Sequence, residues 1–178
     1  MKNLSKELIL ITASELVEAT HSDKISLIDV GKALGVSHAA LYKYFPNKKA
    51  LWTALALRWL DKQLEALFPF DTSGYAEVSA IAHDWLWTLA SGKYRAKFDD
   101  PKMFAIYTTY IDHDKSAYSQ HIQKLGHSFM DATGLDETLT TGILLSFMFF
   151  SAPAYADRWD NQFQTEFETV WTIVKNVF

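Results

Sequence analysis

Apolar residues in this chain recur every three to four positions, and no stretch alternates apolar with polar over the length of a strand. Near the C-terminus Phe163, Phe167, Val170, Trp171, Val174, Val177 and Phe178 fall on one side of a helix. Ile9, Ala13, Leu16 and Val17 do so near the N-terminus, and Leu51, Leu55 and Trp59 between them. A period of 3.6 sustained this way predicts an all-α fold of about nine helices.

Capping residues divide the pattern. A first helix over roughly 4–20 ends at His21-Ser22-Asp23-Lys24. Ser26 and Asp29 have capping-box spacing, Gly35 sits where a left-handed cap belongs, and Ser37 can start a short helix to about Tyr44. Pro46 stops that helix, and Asn47 can cap a long fourth one. Pro69 to Gly74 reads as a linker. Beyond it the spacing predicts helices over 75–91, from Pro101, over 115–132, from Asp136 to about Ala156, and from Asp160 to the end.

With 178 residues, 49% hydrophobic and 21% charged, the chain can bury a core without staples. It has no cysteine, which excludes disulfides, thiolate metal sites and cysteine nucleophiles. The net charge of −4 argues as a whole against nucleic acid, but it is unevenly spread. Before residue 66 there are nine Lys/Arg against seven Asp/Glu; after it, eight against fourteen. Only five of the 26 aromatics lie before residue 66. A mildly basic head and an acidic, aromatic-rich body suggest two jobs in one chain.

The N-terminus lacks the apolar run of a signal peptide. Residues 138–156 include no charge, but Gly142, Pro153 and several Ser and Thr interrupt them, so they read as a buried helix and not a membrane span. The expectation is a soluble, cytoplasmic protein that needs no membrane.

Function is most legible between Ile25 and Leu51. Two short helices joined by Leu34-Gly35-Val36-Ser37 match the helix-turn-helix arrangement. Val30, Ala33, Leu34, Val36 and Leu41 would pack them together, leaving His38, Ala39, Ala40, Lys43 and Tyr44 outward. Small residues at the start of the second helix suit close approach to a major groove. Lys48 and Lys49 stand in the first turn of the fourth helix, where the dipole disfavours cations unless an anion is bound. The Tyr42 hydroxyl can reach a phosphate.

From Ser26 through Gly35-Val36-Ser37 to Leu41-Tyr42-Lys43-Tyr44-Phe45-Pro46-Asn47-Lys48, this segment resembles the DNA-binding head of TetR-family transcriptional regulators. The likeness spans roughly residues 8–60. It implies a three-helix head (1–47), a linking helix (48–68), and an effector-binding and dimerisation body (69–178). It also implies a homodimer on palindromic double-stranded operator DNA, and a repressor released by a small effector. The candidate DNA-contacting residues are then Ser26, Ser37, His38, Ala39, Ala40, Tyr42, Lys43, Tyr44 and Lys48. The chain departs from the family's pattern at His21, Gly31, His38 and Ala40; the last two leave fewer donors for base edges.

In the body, Gly142 and Ser146 would allow close helix approach beside Leu139, Ile143 and Phe150. With Phe163, Phe167, Val170, Trp171 and Val174 they form the candidate dimer face, a four-helix bundle between two copies. His83, Trp87, Met103, Phe104, Tyr107, Tyr110 and His121 are the candidate pocket residues; such walls suit an apolar, aromatic or cationic ligand. No nucleophile-elbow, phosphate-loop or dinucleotide glycine motif is present, so neither an enzyme nor a cofactor is expected. Asp112-His113-Asp114, with His121 or His127, is weaker as a metal site than as a charged helix start. The alternatives are a protein of the same fold that acts through protein partners or as a nucleoid-associated factor, and a helical carrier with an inactive head.

Overall fold

A computed structural model of the chain describes residues 4–20, 24–112 and 114–178. Among these are nine α-helices and no strand. They are α1 (Lys6–Thr20), α2 (Leu27–Leu34), α3 (His38–Tyr42), α4 (Lys48–Gln63) and α5 (Val78–Asp99), then α6 (Pro101–Tyr107), α7 (Lys115–Thr133), α8 (Glu137–Ser146) and α9 (Phe163–Val174). A π-helical turn, Thr108–Asp112, continues α6.

The local signals at α2 and α3 operate as the sequence suggests. The Ser26 hydroxyl accepts the Asp29 amide and donates to the Asp29 carboxylate, which also accepts the Ser26 amide. Both halves of the capping box are therefore made. Gly35 closes α2 at φ 65°, a left-handed conformation that costs a glycine little. Ser37 accepts from the Ala40 amide and Asn47 from the Ala50 amide, starting α3 and α4.

Ile9, Ala13 and Val17 of α1, Leu27 and Val30 of α2, Leu41, Phe45 and the buried face of α4 make the first part of the core. Leu41, with no exposed area, is the apolar pole of α3. Arg58 on α4 donates twice to Glu7 on α1 across an exposed edge. The lower half of the molecule packs α5 against α6 and α7, α7 against α8, and α8 against α9, with α4 touching α5, α6 and α7. Trp85 is fully buried; its indole donates to Ser128 at 3.0 Å, and Ser128 in turn donates to the Leu67 carbonyl. The α4–α5 crossing is close at Gly92, where a Cβ would lie 2.8 Å from the Leu64 side chain.

Three helix boundaries differ from the sequence reading. The α5 helix begins at Val78 and runs on to Asp99, two turns past the expected end, because nothing after Ser91 stops it: Gly92 is helical, with its missing Cβ used for packing. The α8 helix ends at Ser146 and does not continue to Ala156. The chain instead turns through Met148–Phe150 and Pro153–Arg158, where proline lacks the amide a helix would need. Asp160 accepts the Gln162 amide in a turn, and α9 itself starts at Phe163. No helix among the described residues is long and apolar enough to cross a membrane.

The capping box gives a direct test. Its hydrogen bonds from the Ser26 side chain and amide hold the Asp29 carboxyl below the usual carboxylate range. A lowered pKa contributes stability above the unfolded value and loses it as pH falls through the folded one. Ser26→Ala should cost about 1 kcal/mol at neutral pH and return Asp29 towards its ordinary pKa. Urea unfolding should show the gap between wild type and variant narrowing below about pH 4.

Candidate functional site

The α2–α3 unit presents Ala39, Tyr42 and Lys43 to solvent, while His38 and Ala40 are half-buried beside the Leu41 pole. The His38 and Tyr42 rings meet edge to face, 4.4 Å apart. Ser26 is committed to its capping box and Ser37 to its own cap, although Ser37 remains exposed. Tyr44 departs from the outward placement. After α3 ends at Tyr42 the chain turns, sending Phe45 into the core and the Tyr44 hydroxyl onto the Leu4 carbonyl at 2.8 Å.

The two lysines at the start of α4 differ. Lys49 pairs with Asp114 at 3.0 Å, the residue that caps α7. That hydrogen bond is the main reason the Asp114 carboxyl titrates below its ordinary value. Lys48 is exposed, with its ammonium 5.8 Å from the Trp52 ring, and forms no salt bridge among the described residues. Its charge adds a little to the lowering of the Asp29 carboxyl on α2, which the Ser26 hydrogen bonds dominate. Lys48 is exposed at the start of α4, and Tyr42 and Lys43 are exposed at the end of α3.

Trp52, 1% exposed, joins this unit to the lower helices. Its indole donates to the Ile25 carbonyl at 3.2 Å, and its ring stacks on Tyr110 at 5.8 Å and 13°. Tyr110 lies in the π-helical turn that continues α6.

A cavity of about 250 Å³ opens between α5, α7 and α8. Its apolar lining includes Leu89, Leu125, Met130, Leu144 and Met148. At its polar part is Lys93, only 1% exposed. The Lys93 ammonium donates to the Tyr107 hydroxyl at 2.6 Å, lies 4.3 Å from the Tyr107 ring centre, and reaches His121 Nε2 at 3.3 Å. Burial, with the charges of Lys93 and Lys124, pushes the His121 imidazole down to about 2, so it is neutral and accepts from the ammonium. Thr140 is also a lining residue, and its Oγ1 is buried with no hydrogen-bond partner among the described residues.

Of the expected pocket residues, the structure brings Tyr107 and His121 to this cavity. The other five point elsewhere because of how α5 and α6 are rotated. His83 bridges Asp84 at 2.7 Å and Glu168 at 3.2 Å, under Phe167 and Trp171. Trp87 packs on Phe163 and Phe167. Met103 and Phe104 are core, and Tyr110 is taken by Trp52. Lys93 was missed by the sequence reading. The signal for it is the α5 stripe of Ala82, Trp85, Leu89, Lys93 and Ala96, visible only if the helix is carried beyond residue 91.

The expected dimer residues also divide. Ile143, Phe150, Phe163 and Phe167 are buried within the chain itself, where α8 and α9 pack together. Val170, Trp171 and Val174 are half-buried; Leu139, Gly142 and Ser146 are exposed. The most exposed apolar residues of α8 and α9 are Leu145, 58% exposed, and Ile173, 72% exposed. Of the possible metal cluster, His113 lies outside the described residues and Asp114 is used as a cap; among the described residues no group of three His, Cys, Asp or Glu could hold a metal.

Residues 9–55 match the model of the family described as bacterial regulatory proteins, tetR family. No curated protein matches the chain. Among solved structures, a TetR transcriptional regulator from Rhodococcus sp. RHA1 superposes with a TM-score of 0.63 at 17% identity, covering 94% of this chain and 93% of that one. A TetR-family transcriptional regulator from Streptomyces coelicolor gives 0.57 at 18% identity, over 98% and 95%. One from Marinobacter aquaeolei VT8 gives 0.54 at 17%, over 94% and 93%. The N-terminal segment is therefore similar to the head of the TetR family of bacterial regulatory proteins, and the whole chain has the fold of these solved regulators.

Proposed function

We propose that the chain is a homodimeric, DNA-binding transcriptional regulator of the bacterial cytoplasm, a repressor that leaves its operator when a small effector fills the body cavity. In this reading residues 1–47 are the DNA-binding head, 48–68 the link and 69–178 the effector and dimerisation body. The observation that carries it is the capped α2–α3 unit, with Tyr42, Lys43 and Lys48 exposed around it, inside the segment that matches the TetR head. Lys43 and Lys48 supply phosphate contacts, and Tyr42 a hydroxyl at the same edge. The short side chains Ala39 and Ala40 let the α3 backbone approach base edges.

The same geometry supports effector release. Tyr107 lines the cavity, Tyr110 follows in the same continuous segment, and Trp52 connects Tyr110 to the carbonyl just before the α2 cap. A ligand that favours one position of Tyr107 biases where α2 and α3 stand, and only differential affinity for two arrangements is required.

For dimerisation the exposed Leu139, Gly142, Leu145 and Ser146 of α8 and Ile173 of α9 are the surface on offer. Two copies packed through α8 and α9 make an isologous bundle and set two α3 helices to read a palindrome about one DNA turn apart or somewhat more.

Selection of bound sequences from random DNA should return such a palindrome. Lys48→Ala should weaken binding and reduce the slope of log affinity against log salt by about 0.9 for each protomer. Unchanged affinity in both Lys48→Ala and Tyr42→Phe sinks the docking, and salt-independent affinity favours a carrier with an inactive head. For the dimer, Leu145→Asp with Ile173→Asp should shift sedimentation at micromolar concentration from dimer to monomer; a monomeric wild type overturns the bundle.

A further inference from the structure

The cavity between α5, α7 and α8 has a polar end, but that end is turned on itself. The Lys93 ammonium is engaged by the Tyr107 hydroxyl, the Tyr107 ring face and His121 Nε2. Lys93 and Tyr107 each make a further interaction besides these. The Thr140 hydroxyl oxygen is buried, with essentially no surface on the cavity. The other ionisable groups on the lining, Tyr118, His127 and Glu137, are exposed and solvated. The surface left to meet a ligand is mostly apolar. Leu89 and Leu125 are buried, and Leu144, Met130 and Met148 half-buried. Ile122 and Leu145, 41% and 58% exposed, carry the same character out to solvent.

Ligands of different charge fare differently against such a lining. An anion has to displace Tyr107 and His121 from Lys93 before it can pair there, and it gives up its water first. A cation meets the Lys93 charge, and the Tyr107 ring face that would attract it already holds that ammonium. A neutral apolar molecule asks for no partner and gains by taking leucine and methionine surface out of water. Size narrows the class further. An apolar cavity of about 150 Å³ accommodates benzene, so one of about 250 Å³ has room for a ring with a short side chain. Met130 and Met148 suit such an occupant, because a thioether adapts its shape and makes favourable contacts with aromatic edges.

We propose that this cavity binds a small, neutral, largely apolar molecule, of the size of a benzene ring with a short side chain. Leu89, Leu125, Leu144, Met130 and Met148 cover it, and Lys93, Tyr107 and His121 form a closed polar wall, not a headgroup site. The inference rests on the reading of the cavity as a ligand site, but not on DNA recognition.

Isothermal titration of the whole chain without DNA tests it at neutral pH, with phenethyl alcohol, phenylacetate and phenethylammonium as probes of one skeleton. Phenethyl alcohol should bind once per protomer, at least about tenfold more tightly than either ion. Leu144→Trp, which fills the cavity, should lower that binding by at least about tenfold, with circular dichroism reporting that the variant is folded. The wild-type ranking decides even if Leu144→Trp fails to fold. Either ion binding as tightly as the alcohol overturns the neutral class and leaves a ligand site, as does full retention of binding in folded Leu144→Trp for the placement. No binding of any probe overturns both. Operator affinity with and without phenethyl alcohol, measured separately, reports on the regulatory reading: binding that leaves operator affinity unchanged, or absent, keeps this site and removes effector release.

Discussion

Trp52 is the joint on which the arrangement depends. It is the one large aromatic of α4 that is nearly fully buried, and its two faces of chemistry are both used. The indole N–H satisfies the Ile25 carbonyl, which lies outside any helix and would otherwise need another donor. The ring stacks on Tyr110 below. One side chain therefore fixes the entry to α2 and the position of the segment after α6. Lys49–Asp114 supports the same contact from the solvent side, tying the start of α4 to the start of α7. Exposed pairs of this kind contribute little stability, commonly under about 1 kcal/mol; its part is to fix orientation.

The cavity belongs to the same network. Lys93 holds Tyr107 by its hydroxyl and ring face, and Tyr107 is followed directly by the π-helical turn carrying Tyr110. From the buried ammonium to the Ser26 cap the contacts run through Tyr107, the segment to Tyr110, Trp52 and the Ile25 carbonyl. Polar groups held this way cost free energy when they lose a partner, so they favour a few discrete arrangements over gradual drift.

The head was legible in sequence because its signals are local. Ser26 with Asp29, Gly35, Ser37 and Asn47 each act within four residues, and each does what its residue type dictates. The exception there, Tyr44, depends on where α1 lies, forty positions away in sequence. The body was legible as helices but not as a site. Periodicity does not say which way α5 is rotated, so His83 and Trp87 were expected in a pocket that they do not line. Nor does it say that α8 stops at Ser146, since the residues after it are as apolar as those within it. Ile143, Phe150, Phe163 and Phe167 were assigned to a dimer face for the same reason: an apolar stripe cannot declare whether its neighbour is its own chain or a copy. Lys93 escaped because a lysine on an apolar stripe reads as the end of that stripe.

The π-helical turn at Thr108–Asp112 determines how two tyrosines divide their work. Residues three apart on a regular helix project over nearly the same strip of surface. Tyr107 and Tyr110 are three apart; Tyr107 lines the cavity and packs at a tilt on Trp59 of α4, 6.3 Å away, whereas Tyr110 stacks on Trp52, two turns earlier in the same helix. The wider turn changes the angular phase of the segment just where they must part company.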